Sequence, residues 1–318
     1  MRLNYVMFDV TDACNFRCKH CYKAHPDICK DLEINIIERF LKDVESNGFV
    51  PSIVISGGEP LMYKNIFKLL DLVCDGRSVR INTNGILLDK YYERLKKYNN
   101  IRIQVSLDGY DDETFFEVRN NHSFAKIVNN TVRAYEAGLD IYFRSTLTGV
   151  TFANYEKFIE VSKSTGVPLV IRPMYNTGEI SQQQLRIEFE DLCIWQKDVI
   201  EKNYLEYVGC KDLITESSCP LLNRDTIFSV LTVDNYGRIF PCQMLRGNKF
   251  YMGSIYRDSF KSIFLNAEKI VKELEKIIHN DSCERCGFRK QFGNGTCVPA
   301  CYLGNKKCVK EKIYGVRK

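Results

Sequence analysis

The chain has 318 residues, of which 45% are hydrophobic and 27% charged, and its formal net charge is +5. This length allows one large α/β domain or a large domain with an appendage, and it excludes a single small disulfide-stapled module. The composition excludes disorder and collagen-like repeats. The sequence contains no block of basic residues, no signal peptide and no run of 18 apolar residues. We therefore expect a cytoplasmic protein without nucleic-acid or membrane partners.

Short β-branched or aromatic runs alternate with amphipathic segments of helical period from residue 3 to about residue 180. This alternation predicts six βα units around a parallel sheet. The predicted strands are Leu3–Val10, Ser52–Ile55, Val79–Asn82, Ile101–Leu107, Leu139–Thr146 and Pro168–Arg172. The predicted helices are residues 33–47, 63–75, 88–97, 123–137 and 152–165.

The βα rhythm ends near residue 180. Residues 182–202 and 261–279 are predicted to be longer helices, and the segment TIFSVLTVDNYGRIFPC between them predicts two strands joined by a polar turn. We therefore expect a six-fold βα domain over residues 1–205 and a small cysteine-rich domain over residues 206–318. A region of about a hundred residues has a limited core, so metal clusters would supply part of its folding free energy.

Fourteen cysteines are unusual in a chain without an export signal, because a reducing cytosol favours metal ligation or catalysis over structural disulfides. Cys14, Cys18 and Cys21 follow the first predicted strand with a C-x3-C-x2-C spacing. Ligand sites in parallel α/β folds gather at this end of the strands. Three thiolates in a tight loop suit an iron-sulfur cluster with one iron left open. The alternative is a zinc loop that borrows His20 or His25.

Further motifs follow the next strands in chain order. They are Ser56-Gly57-Gly58-Glu59-Pro60, Thr83-Asn84-Gly85 and Ser106-Leu107-Asp108-Gly109. Paired glycines allow close approach of the backbone, and a carboxylate complements an ammonium group. The two later motifs are equally typical of ordinary turns. Arg144 is a charged residue in the largely apolar fifth strand, and its alternative role is that of a rim residue that bridges to an acidic neighbour.

Taken together, these motifs resemble the radical S-adenosylmethionine (SAM) superfamily, which has a partial (β/α)6 barrel. The resemblance implies that Cys14, Cys18 and Cys21 hold a catalytic 4Fe-4S cluster and that SAM chelates its fourth iron. It implies that the glycine motif holds the SAM amino group, that Ser106 and Arg144 contact the ribose or carboxylate, and that His20 replaces the aromatic residue that usually stacks on the adenine. The implied cofactor-binding residues are His20, Gly57, Gly58, Glu59, Pro60, Asn84, Ser106, Asp108 and Arg144.

Eight cysteines lie in the last 109 residues, enough for two fully ligated 4Fe-4S clusters. This region, including the segment GRIFPC, resembles the SPASM extension of radical SAM peptide and protein maturases. The resemblance implies one auxiliary cluster on Cys210, Cys219, Cys242 and Cys301, and a second on Cys283, Cys286, Cys297 and Cys308. Two alternatives stay open. Cys210 can be an ordinary loop thiol, in which case one iron of the first auxiliary cluster has no protein ligand, and the metal around Cys283 and Cys286 can be zinc. Cys74 and Cys193 are expected to be small buried residues, and Cys29 is a candidate thiol hydrogen donor.

The resemblance implies reductive cleavage of SAM to methionine and a 5'-deoxyadenosyl radical, which abstracts a hydrogen atom from the substrate. The leading hypothesis is maturation of a ribosomally synthesised peptide by a thioether or carbon-carbon crosslink. One alternative is formylglycine formation in sulfatases, although those maturases usually place an aspartate after the cysteine equivalent to Cys242, where this chain has Gln243. The others are tetrapyrrole or small-molecule side-chain chemistry and a non-catalytic iron-sulfur or zinc protein.

The expected partners are a peptide or protein substrate and an electron donor such as flavodoxin or ferredoxin. Because the chain starts a few residues before the first predicted strand, we expect leader recognition by the catalytic chain itself or by a separate leader-binding protein. Arg172, Tyr175 and Asn176 lie at or just after the end of the sixth predicted strand. They are candidate substrate contacts, and strand-end packing explains them equally well.

Overall fold

The computed structural model describes residues 3–21, 23, 28–174, 185, 187, 191, 194–195, 198–199, 201–208, 230–243 and 245–278. Its strands are β1 (Tyr5–Asp9), β2 (Ser52–Ser56), β3 (Val79–Thr83), β4 (Ile101–Ser106), β5 (Ile141–Leu147), β6 (Leu169–Pro173), β7 (Val230–Val233), β8 (Arg238–Phe240) and β9 (Gly253–Ser254). Its α-helices are α1 (Ile34–Ser46), α2 (Ile66–Val73), α3 (Leu88–Leu95), α4 (Asp112–Arg119), α5 (Phe124–Glu136), α6 (Glu156–Thr165) and α7 (Phe260–Ile278).

The nine strands form one sheet in the order β6-β5-β4-β3-β2-β1-β7-β8-β9. Neighbouring strands from β6 to β7 are parallel, and β8 and β9 are added antiparallel. The predicted α/β class with an open parallel sheet is therefore confirmed. β7 pairs with β1, with Tyr5 opposite Val230, so a strand of the cysteine-rich region continues the sheet of the βα units. The boundary between residues 205 and 206 stays a prediction.

The two faces of the sheet differ in polarity. In β4, Ile101, Ile103 and Val105 are buried and join the core formed with the helices, whereas the side chains between them are polar and more exposed. The burial of β3, of β5 from Phe143 onward and of the first four residues of β6 alternates in the same way, because successive side chains of a strand point to opposite faces. The inner face of the partial barrel therefore carries polar groups, among them Asn82, Gln104, Ser106, Arg144, Thr146 and Arg172.

The helices pack their apolar stripes against the outer face of the sheet. The five helices predicted between the strands are present, and the helix predicted over residues 261–279 corresponds to α7. Most of the helix predicted over residues 182–202 lies outside the described residues. No helix in the described part of the chain is both long and apolar enough to cross a membrane.

Helix α4 is the element that hydrophobic periodicity did not predict. It buries only Phe115 and Val118, so its apolar stripe is narrow. It is defined instead by its first turn, where the side chain of Asp111 accepts a hydrogen bond from the Thr114 N–H at 2.8 Å and the Thr114 hydroxyl oxygen accepts one from the Asp111 N–H at 3.3 Å. This reciprocal capping satisfies two backbone donors that a short helix otherwise leaves free. Its last turn carries Arg119, which lies at the candidate site.

Candidate active site

Cys14, Cys18 and Cys21 lie on the loop that leaves the carboxyl end of β1. All three thiols are free, with Cys14 and Cys18 half-buried against the core and Cys21 exposed. The Cys21 N–H donates to the Cys18 carbonyl at 3.1 Å, which closes a turn between the second and third cysteines. Among the described residues, no three His, Cys, Asp or Glu side chains are grouped closely enough for one metal ion. An iron-sulfur cluster needs only one thiolate per iron, so this donor set fits a cluster.

Burial affects the protonation of these thiols. It raises the pKa of Cys14 to about 11 and raises the pKa of Cys18, although Arg119 beside Cys18 acts in the opposite direction. The Phe16 N–H lies 3.4 Å from the Cys14 sulfur, where it favours the thiolate. Both thiols must therefore lose a proton when they bind iron, and the positive charge of the metal offsets that cost.

The two glycines after β2 let this turn lie directly on the backbone of the cysteine loop. A Cβ added to Gly57 would lie 2.5 Å from the Thr11 carbonyl oxygen, and one added to Gly58 would lie 2.3 Å from the Ala13 carbonyl oxygen. The Gly58 N–H donates to the Thr11 carbonyl at 2.7 Å, and the Glu59 N–H donates to the Ala13 carbonyl at 2.8 Å. Only a glycine pair permits this approach. Contact of this turn with the SAM amino group stays a prediction.

The Glu59 carboxylate is buried and joins the turns after β2 and β3. It accepts hydrogen bonds from the Leu61 N–H at 3.0 Å, the Thr83 hydroxyl at 2.7 Å and the Asn84 N–H at 2.7 Å. Burial raises the pKa of Glu59, while these three donors act in the opposite direction. Pro60 opens a short 3-10 turn at this point. The described contacts of Glu59 are thus to the protein, and its contact with SAM stays a prediction.

Asn84 extends this connection to the cysteine loop. Its side-chain N–H donates to the Asn15 side-chain oxygen at 2.7 Å, and its own side-chain oxygen accepts the Ile86 N–H at 3.1 Å. Asn15 follows Cys14 directly, so the turn after β3 fixes the backbone between the first two cysteines. The sequence analysis did not select Asn15, because only its position inside the cysteine loop pointed to a role at the site, and its hydrogen bond to Asn84 is visible only in the structure.

Asp108 is the centre of a buried charge cluster at the end of β4. It forms an ion pair with Arg119, lies 3.4 Å from the Nε2 atom of His20, and accepts a hydrogen bond from the Thr146 N–H at 2.6 Å. Burial alone would raise the pKa of Asp108, but Arg119 and His20 hold it below its usual value. The Arg119 guanidinium also lies 3.6 Å from the Cys18 sulfur. One arginine therefore connects the Asp108 carboxylate to the Cys18 thiol, a predicted cluster ligand.

His20 lies against α4 in this arrangement. Its Nδ1 atom lies 3.4 Å from the Val118 carbonyl, and its other ring nitrogen faces Asp108. Burial lowers the pKa of His20, which Asp108 partly opposes. Stacking of His20 on the adenine of SAM stays a prediction. The sequence analysis did not select Arg119 because it did not predict α4. The Asp111-x-x-Thr114 spacing, which is typical of a helix N-terminus, was the signal that could have predicted this helix and its last residue.

Ser106 and Arg144 are opposite each other in the register of β4 and β5, so both lie on the polar inner face. Arg172 is opposite Thr146 one strand further along the sheet. The structure thus brings together the residues predicted to contact the SAM ribose or carboxylate, and Ser106 lies two residues before Asp108 of the buried charge cluster. Their contacts with SAM stay predictions. Tyr175 and Asn176 lie outside the described residues.

A second buried acid, Asp9, joins the cysteine loop to the C-terminal region. It ends β1 and forms ion pairs with Lys23 at 3.1 Å and with Arg246 at 2.7 Å. Arg246 follows Cys242, which is half-buried just after β8. Cys242 is the one predicted auxiliary ligand that lies among the described residues. The predicted ligands outside them are Cys210, Cys219, Cys283, Cys286, Cys297, Cys301 and Cys308.

The cysteines without an assigned ligand role differ in environment. Cys74 is half-buried at the end of α2, and burial raises its pKa to about 11, as expected for an unreactive thiol. Cys29 is exposed, and its predicted role as a hydrogen donor stays a prediction. His25 and Cys193 lie outside the described residues.

Comparison with known families gives two matches. The Radical SAM superfamily matches residues 8–164, and the SPASM iron-sulfur cluster-binding domain matches residues 225–287. The first range contains the cysteine loop, the three strand-end turns and Arg144, and the second contains Cys242.

Curated relatives include GTP 3',8-cyclases. That of Alkaliphilus oremlandii is 26% identical over 230 residues, which are 69% of this chain and 68% of the relative. That of Peptoclostridium acidaminophilum is 32% identical over 148 residues, which are 43% of this chain and 44% of the relative. Several of these alignments cover only about half of the relative, as for Mannheimia succiniciproducens, where the share is 55%.

Solved structures with similar folds extend over nearly the whole chain. Native anSMEcpe with bound AdoMet has a TM-score of 0.78 at 18% identity, over 96% of this chain and 92% of that one. SuiB of Streptococcus suis bound to its precursor peptide SuiA has a TM-score of 0.73 at 17% identity, over 95% of this chain and 72% of that one. At these identities the likeness establishes a shared fold.

Replacement of Gly58 by alanine should displace the cysteine loop. Its new Cβ would lie 2.3 Å from a backbone oxygen that cannot rotate away, and we expect a loss of about 2 kcal/mol in the free energy of unfolding together with lower iron retention by the N-terminal cysteines. Urea unfolding and iron analysis after anaerobic reconstitution measure both. Gly247→Ala is the control, because its Cβ would approach no atom closer than 3.9 Å. Equal behaviour of the two variants would contradict the close-approach argument.

Replacement of Arg119 by glutamine should leave the Asp108 carboxylate buried without its cation. We expect the free energy of unfolding to fall by about 3 kcal/mol, since removal of one partner of a buried ion pair leaves the other charge buried and uncompensated. The double variant Arg119→Gln/Asp108→Asn should recover part of that loss, and a double-mutant cycle in urea measures the coupling. Strictly additive losses would mean that the two residues act independently.

Proposed function

The chain belongs to the radical SAM superfamily and carries a SPASM iron-sulfur domain, and from this premise we propose that it cleaves SAM reductively to modify a peptide or protein side chain. The substrate class that we propose is a ribosomally synthesised peptide, matured by a thioether or carbon-carbon crosslink. The observation that carries the proposal is the position of three free thiols at the carboxyl end of β1, against the Gly57-Gly58 turn and beside the polar inner face.

Each part of the site has a task in this reaction. A 4Fe-4S cluster on Cys14, Cys18 and Cys21 supplies, when bound, the electron that splits SAM into methionine and a 5'-deoxyadenosyl radical. Arg119 faces the Cys18 sulfur and so places a positive charge beside that thiolate. Ser106 and Arg144 present a hydroxyl and a cation on the inner face, where they can orient the polar groups of SAM.

The packing on the Glu59 side of the cysteine loop excludes water, whereas Cys21 itself is exposed. Glu59 and Asn84 are buried, and they hold the turns after β2 and β3 against the loop through the hydrogen bonds described above. A rigid, largely dry wall suits radical chemistry, because water and mobile side chains would offer competing hydrogen atoms or polar contacts to a reactive intermediate. The same rigidity fixes the distance between SAM and a substrate bound on the inner face.

Two findings support a peptide as the substrate. The fold likeness spans about 95% of the chain in a protein solved with its precursor peptide SuiA, and 93% in anSMEcpe with the Kp18Cys peptide. The SPASM iron-sulfur cluster-binding match over residues 225–287 contains Cys242, Cys283 and Cys286, three of the predicted auxiliary ligands, in the region whose sequence resembles the extension of peptide and protein maturases. We propose that this region binds two auxiliary clusters, which brings the total to three 4Fe-4S clusters.

A guanine nucleotide is the second candidate substrate class. It is favoured by the curated relatives that are named GTP 3',8-cyclase, at 26–32% identity. These alignments cover only part of each chain, which is why we place this candidate second. Formylglycine formation is less well supported, since Gln243 follows Cys242 where an aspartate would be expected.

Anaerobic reconstitution should give about twelve irons per chain and, after reduction with SAM, release of 5'-deoxyadenosine. A triple variant of Cys14, Cys18 and Cys21 to alanine should keep about eight irons and release none. The assay is run with cysteine-containing peptides and, separately, with GTP, and mass spectrometry reads the products. Loss of two hydrogen atoms from a peptide supports crosslinking.

Three outcomes would contradict parts of the proposal. Turnover of GTP with unchanged peptides would favour the nucleotide candidate. Formation of a peptide aldehyde in place of a crosslink would favour formylglycine chemistry. About four irons or fewer, with bound zinc and no release of 5'-deoxyadenosine, would exclude radical SAM activity and indicate structural cysteines.

A further inference from the structure

Arg80 is a half-buried cation on the inner face of the partial barrel. It is the second residue of β3, between Val79 and Ile81, whose side chains join the core on the outer face. Its Nε atom is buried and has no hydrogen-bond partner, and no ion pair among the described residues includes it. Buried polar groups in folded proteins nearly always have a partner, so this unpartnered guanidinium is suited to bind a ligand.

The neighbouring strand adds a second positive charge beside Arg80. Arg102 of β4 is directly opposite Arg80 in the register of the sheet, on the same face. The Arg102 side chain is exposed, forms an ion pair with Asp140 at 3.3 Å and lies over the Tyr142 ring at 4.9 Å. Arg102 is therefore compensated, whereas Arg80 is not. Two like charges on adjacent strands repel each other, and an anion bound to Arg80 would offset that repulsion.

The other carboxylates around the inner face are engaged elsewhere. In the described strands β1 to β7, Asp9 is the one carboxylate at an inner-face position, and it forms ion pairs with Lys23 and Arg246. At the strand ends, Asp108 belongs to the buried charge cluster, and Glu59 accepts three hydrogen bonds from the turns after β2 and β3. None of these described carboxylates compensates the Arg80 guanidinium.

An unpartnered acceptor lies on the same face as Arg80. Asn82 is two residues further along β3, about 7 Å closer to the strand ends, and its Oδ1 atom is buried without a hydrogen-bond partner in the described part of the chain. Gln104, opposite Asn82 in β4, accepts a hydrogen bond from the Tyr142 hydroxyl at 2.9 Å. Arg80 and Asn82 thus present a cationic donor and a neutral acceptor in line along one strand. A peptide offers the complementary groups, a carboxylate and a backbone N–H.

We propose that Arg80 binds a carboxylate of the peptide substrate and that Asn82 accepts a hydrogen bond from a backbone N–H of the same peptide. This subsite rests on the proposed function, because it determines which peptides that site accepts. A guanidinium forms two parallel hydrogen bonds with a carboxylate, which makes the contact stronger and more specific than one to a neutral amide. The carboxylate is an Asp or Glu side chain or the C-terminus of the peptide, and the test separates these two sources.

The register of the sheet places this subsite below the predicted SAM contacts. Ser106 is four residues further along β4 than Arg102, the partner of Arg80, so the two levels are about 13 Å apart. The SAM carboxylate is assigned to Ser106 and Arg144 in the proposed function, and it is therefore not the group that binds Arg80. An extended peptide advances about 3.3 Å per residue, so the recognised carboxylate lies within about four residues of the modified side chain.

The test uses a library of N-acetylated heptapeptides with a central cysteine and six randomised positions, made both as C-terminal amides and as free acids. After turnover with SAM and dithionite, tandem mass spectrometry identifies the modified peptides. The wild type should modify peptides that carry Asp, Glu or a free C-terminus at least about tenfold more than their Asn, Gln or amide counterparts. Arg80→Gln should remove this preference, and Arg80→Glu should reverse it in favour of Lys and Arg, which a merely structural role would not do.

Arg102→Gln is the matched control. It removes the same charge at the same level of the sheet, one strand away, from a residue that Asp140 already compensates. We expect it to keep the preference for carboxylates within about twofold of the wild type, because an exposed ion pair contributes little. Equal iron content in all four proteins confirms that they fold.

A second measurement does not depend on turnover. Phenylglyoxal modifies accessible guanidinium groups, and peptide mapping reports how fast it modifies Arg80 in the reconstituted protein with SAM. Asp-containing heptapeptides should slow the modification of Arg80 at least about threefold at concentrations above their Kd, whereas the Asn-containing counterparts should not. Arg133, which is exposed on α5, should react equally in both cases.

Three outcomes would overturn the assignment of Arg80. They are modification of library peptides by the wild type without preference for a carboxylate, an unchanged preference in both Arg80 variants, and protection of Arg80 by GTP but not by the Asp-containing peptides. Failure of the proposed function gives a different result, because none of the proteins would then modify any library peptide. Protection from phenylglyoxal decides the role of Arg80 in that case, since it measures binding alone.

Discussion

The buried carboxylate of Glu59 is the interaction on which the candidate site depends. It accepts hydrogen bonds from the turns after β2 and β3, and its own N–H is bonded to Ala13 of the cysteine loop. A charge in a low-dielectric interior is tolerated only when such donors surround it. The donors must therefore keep their positions, and with them the loops that hold Cys14 and Asn84. Three strand-end loops thus behave as one rigid unit.

A second buried charge cluster stabilises the far side of the same loop. Asp108 and Arg119 form an ion pair within reach of Cys18, so the thiol lies beside a fixed cation whose own charge is compensated. Asp9 performs the corresponding task toward the C-terminal region through Lys23 and Arg246. The cysteine loop is therefore held by Asp9, which ends β1, by Asp108, which follows β4 by two residues, and by Glu59. These carboxylates and their partners hold the cysteine loop on several sides.

The parallel pairing of β7 with β1 gives the C-terminal region a direct connection to the catalytic half. It brings the β7–β8 turn to the same edge of the sheet as the cysteine loop, where Asn235 bonds to Asp12. The polar inner face that carries Ser106 and Arg144 lies on β4 and β5, four and five strands away from β7 in the sheet order.

The sequence by itself determined the six βα units, the cysteine spacing and the turns that follow the strands, because periodicity, glycine pairs and local spacing are local properties of a chain. It predicted Ser106 and Arg144 but not their pairing across two strands. Only the tertiary structure identified Arg119, Asn15 and Asp9, since each acts through a partner distant in sequence. Helix α4 was missed because its stability comes from a cap and not from a wide apolar stripe. Long-range pairing of buried charges depends on which strand ends meet, and no local pattern encodes that choice.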